Sequence, residues 1–224
     1  MTAPRPRLVV AVVGTRTEVG KTHVSAALAR ELRRRGRHVA ARKPLQSYDP
    51  ADRDAGVALD ADVLAGATGE AAETVCPPHR SLAVAMAPPM AADVLGIDCP
   101  DTAAVLDELV WGGPDAGEID VGLVETVGGS RSPMTADGDS RAVARALRPE
   151  ISVLVADASL GVLHDVRAAS VDLPGALVVH LNHFDEADDL HRRNRAWLRH
   201  VDSQIVTTDI GDLASGIIAA LDAT

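Results

Sequence analysis

Hydrophobic and polar positions along the chain alternate between two textures. "LVVAVV" (8–13) is an unbroken apolar, β-branched run, the pattern of a parallel strand buried on both faces. Comparable runs follow at "HVAARK" (38–43), "IDVGLVET" (119–126), "ISVLVAD" (151–157), "GALVVHLN" (175–182) and, more weakly, "SQIVTT" (203–208). Between them lie helical patterns. One covers Thr22 to Arg35 and is closed by Gly36; others are "LDADVLAGATG" (59–69), "APPMAADVL" (87–95) and "DTAAVLDELVW" (101–111), the last with Asp101 as N-cap. Residues 45–58 read as a long polar loop. Strands alternating with helices predict a three-layer α/β fold: a mostly parallel central sheet, helices on both faces, right-handed crossovers. No repeat, low-complexity tract or linker interrupts it, so residues 1–224 are expected to form one domain.

Composition sharpens this. Aromatics are 2% of a chain that is 46% hydrophobic, so the core must be built from Ala, Val and Leu. A net charge of −10 argues against a nucleic-acid surface, and the clusters Arg33-Arg34-Arg35 and Arg192-Arg193 read as solvated helix ends. Cys76 and Cys99 stand alone, which indicates neither a zinc site nor a disulfide framework. The first apolar run is too short for a signal peptide and no stretch reaches membrane-spanning length, so a soluble cytoplasmic protein is expected. Of 22 basic residues only Lys21 and Lys43 are lysines. A compact, rotatable ammonium has been kept at two places where a planar guanidinium would not serve.

The first of these lies in "GTRTEVGKT" (14–22), between the first strand and the first helix. That is the context of a phosphate-binding loop, although its first glycine, Gly14, comes one place earlier than G-x-x-x-x-G-K-[ST] requires. Backbone N–H groups from Thr17 to Thr22 can wrap a triphosphate at the helix N-terminus. Gly14, Thr15, Glu18, Val19 and Gly20 would form this nucleotide cradle. Lys21 would reach the β- and γ-phosphates, and the Thr22 hydroxyl would hold Mg²⁺. Lys43 closes the second strand, the end at which α/β proteins bind ligands. Asp60 and Glu125 are hard-oxygen candidates to join Thr22 on the metal. For Asp60 the competing reading is a helix N-cap, with Asp62 and Asp54 nearby; for Glu125 it is a structural acid, which a strand end bears only if paired. Gly128 and Gly129 would let the backbone pass close to phosphate or substrate, or form a plain turn. Asn182, ending the fifth strand, can serve an adenine edge or cap its own loop, and His183 and Phe184 could flank the base.

Taken together these segments resemble the dethiobiotin synthetase family. Its loop reads G-T-x-T-x-V-G-K-T, and the likeness continues through "ARKPLQS" (41–47), "LDADVLAGATG" (59–69), "MAPPMAA" (86–92), "LVETVGG" (123–129), "DASLGVL" (157–163) and "VVHLN" (178–182). The resemblance implies an ATP- and Mg²⁺-dependent cyclo-ligase of biotin biosynthesis. It would convert 7,8-diaminononanoate, CO₂ and ATP to dethiobiotin, ADP and phosphate through a carbamate and a carbamic-phosphoric anhydride. Lys21, Lys43, Thr17 and Ser47 would be the catalytic residues. Thr17, Lys43, Ser47 and Gly128 would contact the substrate, and Gly161, Val162 and Leu163 would receive its tail carboxylate across a homodimer interface. Alternatives are another ATP-dependent carboxylating cyclo-ligase, or a partition- or septum-type ATPase switch, whose second lysine would fall at Arg16. Four departures from the family pattern bear on the substrate: Tyr48 for Gly, Thr126-Val127 before the glycine pair, Pro89 for His, and His164-Asp165 after Leu160-Gly161.

Overall fold

The computed structural model describes residues 5–112 and 117–224. Its main sheet is six-stranded and wholly parallel, in the order β2-β5-β1-β6-β7-β8. The strands are β1 (Leu8–Gly14), β2 (Val39–Arg42), β5 (Val121–Glu125), β6 (Ile151–Asp157), β7 (Ala176–Asn182) and β8 (Ile205–Thr207). A second, two-stranded sheet pairs β3 (Gln46–Ser47) with β4 (Ser81–Leu82). The helices, in chain order, are α1 (Lys21–Arg34), α2 (Pro50–Asp54), α3 (Asp60–Thr68), α4 (Ala72–Val75), α5 (Pro88–Leu95), α6 (Thr102–Asp107), α7 (Ser140–Leu147), α8 (Val162–Ser170), α9 (Asp189–His200) and α10 (Ile210–Asp222).

Every residue of β1 is buried, and the two-residue period of a strand sends alternate side chains to opposite faces of the sheet. Leu8, Val10 and Val12 pack with α1, α3 and α10 on one face. Ala11 and Val13 pack with α7, α8 and α9 on the other. This is the three-layer arrangement expected from the sequence, and the small Ala/Val side chains allow the helices to lie close. Among the described residues no helix is long and apolar enough to cross a membrane.

Two expectations are corrected. Residues 45–58 are not simply loop, because β3 and α2 lie within them. Asp49 caps α2 by accepting from Ala51 N, and Pro50 starts it with the φ a first turn needs. The helix expected to reach residue 111 ends at Asp107. Trp111 is instead 6% exposed against the sheet, and a Cβ on Gly122 would lie 2.5 Å from its ring. Burying that large ring pulls the chain out of helical phase. Asp101 does cap α6, accepting from Ala104 N at 2.8 Å.

The strand order leaves β1 in both directions, so a crevice opens at the C-terminal ends of β1, β2 and β5. Gly14 ends β1, Lys43 follows β2, and Glu125 ends β5.

Candidate active site

A cleft of about 760 Å³ occupies that crevice, and both lysines of the chain line it. Thr17, Glu18, Gly20, Thr22, Ser47, Asp60, Glu125 and Gly128 line it as well. A smaller cavity of about 360 Å³ beside Arg42 and Val105 holds none of the expected site residues.

The phosphate loop owes its shape to local backbone chemistry. Glu18 and Gly20 take positive φ, 63° and 88°, and Gly20 is the residue from which α1 starts. The loop turns sharply there, bringing the first N–H groups of the helix to the cleft. From the other side Gly129 approaches so closely that a Cβ on it would lie 2.7 Å from the Thr15 carbonyl oxygen. The glycine pair therefore does more than turn the chain: it lets the loop after β5 press on the phosphate loop. Lys21 Nζ donates to Gly128 O at 2.8 Å, tying the two loops together. Burial first, and then the neighbouring Lys43 charge, lower the Lys21 ammonium to about 8, with Glu125 and Asp60 acting in the opposite sense.

The expected metal ligands meet. Thr22 Oγ1 is 2.7 Å from Asp60 Oδ1 and 2.8 Å from Glu125 Oε1. One hydroxyl proton can serve only one of two carboxylates, so the group calls for a cation. Lys43 supplies one here: Nζ lies 2.7 Å from Glu125 Oε1 and 2.9 Å from Asp60 Oδ2. Burial opposes the Lys43 charge, but Glu125 and then Asp60 outweigh it and raise the ammonium above the ordinary lysine range. Burial likewise works against the Asp60 charge, while Lys43 and then Thr22 outweigh it and hold that carboxyl below its usual range. The donor set is a hydroxyl and two carboxylates, hard oxygens that fit a divalent ion such as Mg²⁺ with phosphate oxygens completing the shell. It is too sparse to form an all-protein cage, and among the described residues no cluster of three or more His, Cys, Asp or Glu could do so. The N-cap alternative for Asp60 is not met, because α3 is capped at Leu59, whose N–H donates to Asp62 Oδ2 at 3.1 Å.

Ser25 is a site residue that the sequence reading missed. Its hydroxyl donates to Glu125 Oε2 at 2.8 Å, completing the polar shell of a carboxylate that is 1% exposed. The available signal was a hydroxyl three residues after Thr22 on the buried face of α1. Gln46 was missed too: its carboxamide accepts from Ala61 N at 3.1 Å and fixes the start of α3. Ser47 Oγ is buried without a partner at the cleft wall, and Thr17, which is exposed, lines the same cleft. Asn182 is beside the phosphate loop, bonded to Val19 O at 3.0 Å. Gly161, Val162 and Leu163 lie at the start of α8 and do not line the cleft.

A family model described as an AAA domain matches residues 9–176. The ATP-dependent dethiobiotin synthetase of Caulobacter sp. (strain K31) is 32% identical over 224 aligned residues, covering 94% of each chain. The chain belongs to the dethiobiotin synthetase family. The synthetase of Rhodopirellula baltica is 34% identical, covering 84% of this chain and 78% of that one, and the one from Methylobacterium nodulans is 36% identical, covering 68% of each. Among solved structures, a nucleotide-binding protein in complex with ADP from Archaeoglobus fulgidus aligns at 14% identity and a TM-score of 0.46, over 92% of this chain and 86% of that one. That likeness is too low to carry an argument. Of the departures from the dethiobiotin synthetase pattern, Tyr48 lines the cleft, Pro89 lies in α5 and Asp165 sits in the first turn of α8.

Proposed function

We propose that this chain closes a ureido ring on a vicinal diamine at the expense of ATP, with 7,8-diaminononanoate as substrate. The observation that carries the reading is that the chain's only two lysines converge in one cleft, beside a phosphate loop and a hydroxyl–carboxylate trio. One substrate amine adds to CO₂ and loses a proton, giving a carbamate. The carbamate oxygen attacks the γ-phosphorus of ATP, and ADP leaves. The second amine attacks the carbamoyl carbon, phosphate leaves with the bonding electrons, and the ring closes with loss of a proton. Lys21 and the loop N–H groups bind the phosphates, and Lys43 faces the charge that gathers on the transferring group. Ser47, whose hydroxyl has no protein partner, and Thr17 orient the carbamate. Mg²⁺ held by Thr22, Asp60 and Glu125 would add positive charge at the β- and γ-phosphates. The diamine brings its own nucleophile, so positioning carries much of the rate.

In this reading residues 1–224 act as one cytoplasmic domain. By the family resemblance a second copy would complete the substrate site with Gly161 to Leu163, which do not line the cleft of their own chain. The test is release of phosphate from ATP with diamine and bicarbonate supplied separately and together. Release that needs both supports the synthetase; release that needs neither overturns it.

A further inference from the structure

Three oxygens lie around Lys43 Nζ: Glu125 Oε1 at 2.7 Å, Asp60 Oδ2 at 2.9 Å and Thr126 O at 3.3 Å. An ammonium has three hydrogens and accepts nothing, so the protein claims all of its donors. None is left for a carbamate or a transferring phosphoryl group. The carboxylates are engaged to the same degree. Thr22 Oγ1 lies 2.8 Å from Glu125 Oε1, the oxygen that Lys43 also contacts, and Ser25 donates to Oε2 at 2.8 Å. Asp60 turns Oδ1 to Thr22 at 2.7 Å and Oδ2 to Lys43. These are the hard oxygens that fit a divalent ion. Lys43 and that ion therefore draw on the same two carboxylates, and two positive charges so close repel.

The main chain offers no relief. Lys43 N donates to Val75 O at 2.8 Å, and Pro44 locks the φ of the next residue. The side chain does. Its flexible stem carries a compact ammonium that turns about several bonds. It lines the same cleft of about 760 Å³ as Ser47, whose buried Oγ has no partner. An exchange of cations also avoids a large cost, because Glu125, 1% exposed, has a positive charge beside it both before and after.

We infer that Lys43 changes partners when a divalent ion binds. It neutralises Glu125 and Asp60 until the ion takes those carboxylates, and then swings into the cleft, where its hydrogens meet the reacting groups. This rests on reading Thr22, Asp60 and Glu125 as the metal ligands. The metal thus has a second role besides screening phosphate charge, which is to release the ammonium. Lys43 in turn lowers the affinity of the site for the metal.

The test measures metal binding without nucleotide, diamine or bicarbonate. Mn²⁺ serves as the probe, read by loss of the free-ion spin-resonance signal, with the wild-type chain, Lys43→Met and Asp60→Asn. Lys43→Met should bind Mn²⁺ more tightly by about tenfold or more, because the repulsion is removed, and Asp60→Asn should bind it more weakly. A second measurement needs no stable Lys43 variant. The chain has two lysines, so labelling their Nζ with ¹⁵N gives two ammonium resonances, and Lys21→Arg identifies that of Lys43 by elimination. Saturating Mg²⁺ should shift the Lys43 resonance of the wild-type chain and speed its hydrogen exchange with water. A Lys43→Met affinity no higher than wild type, or a Lys43 resonance that stays in place, would make the lysine a fixed counter-ion and overturn the exchange. Mn²⁺ affinity unaffected by Asp60→Asn would overturn the metal assignment, and the exchange with it. The reading of the reaction fails separately, on whether phosphate release needs both diamine and bicarbonate.

Discussion

Replacing Lys43 by Met keeps most of the side chain's volume and removes only its charge. Glu125, 1% exposed, is then left with hydroxyl donors and no cation in direct contact, Lys21 acting on it only from further off. At an effective dielectric constant of about 20, an ion pair 2.7 Å apart is worth roughly 6 kcal/mol of Coulomb energy. Desolvating both groups offsets much of this, and breaking a buried pair by deleting one partner costs about 3–5 kcal/mol in practice. Asp60 adds little to that figure, because its side chain is 41% exposed and screened. For a chain of this length the loss should lower Tm by roughly 6–20 °C. Glu125→Gln alone should cost less, since Asp60 Oδ2 at 2.9 Å still pairs with the ammonium. The double variant Lys43→Met/Glu125→Gln should recover most of the stability, because two neutral groups of similar shape replace the pair. It should recover none of the turnover, since Lys43 would also serve the transferring phosphoryl group. Chemical denaturation of the four proteins gives the coupling energy, and phosphate release gives the activity. Additive costs in the double variant would refute the pairing, and so would a Lys43→Met cost below about 1 kcal/mol. A fully active Lys43→Arg would refute the inference that this position requires a point charge.

The remaining predictions concern the phosphate loop. Lys21 is lowered to about 8, and bound polyphosphate will raise it, so binding above neutral pH should take up a proton and ATP affinity should fall as pH climbs through 8. Calorimetry in buffers of different ionisation heat reads that uptake, and its absence would show that Lys21 does not meet the phosphates. For stability the sign is opposite: the folded chain releases this proton before the unfolded one does, so the Lys21 contribution rises with pH between about 8 and the unfolded value of 10.5. Gly129→Ala should displace the phosphate loop, because the added carbon meets the Thr15 carbonyl oxygen at 2.7 Å. A loss of ATP affinity of tenfold or more with little change in Tm is expected, and normal affinity would mean that the glycine pair is only a turn.

The sequence by itself determined the parts whose physics is local. Unbroken runs such as Leu8 to Val13 had to be strands covered on both faces, and their alternation with helical patterns fixed the layered fold. Nine contiguous residues carried the phosphate loop, because a strand end, a left-handed Gly20 and a helix N-terminus lie next to one another in the chain. Two lysines among 22 basic residues marked the cleft before any geometry was known. What the sequence left open was pairing across distance. Asp60 had a helix N-cap as its rival reading, and only the packing of α3 against α1 turned its carboxylate to Thr22 while Asp62 took the cap. Glu125 could have been any paired strand-end acid until Lys43 and Ser25 closed on it from β2 and α1. Asn182 had equal claims on a base and on its own loop, and the fold brings its Nδ2 to Val19 O, 163 residues away in sequence. The Glu125 and Asn182 contacts join the C-terminal end of a parallel strand to a loop or helix from another part of the chain. The strand order β2-β5-β1-β6-β7-β8 decides which ends become neighbours, and that order is set by how the layers pack, which no single segment of sequence encodes.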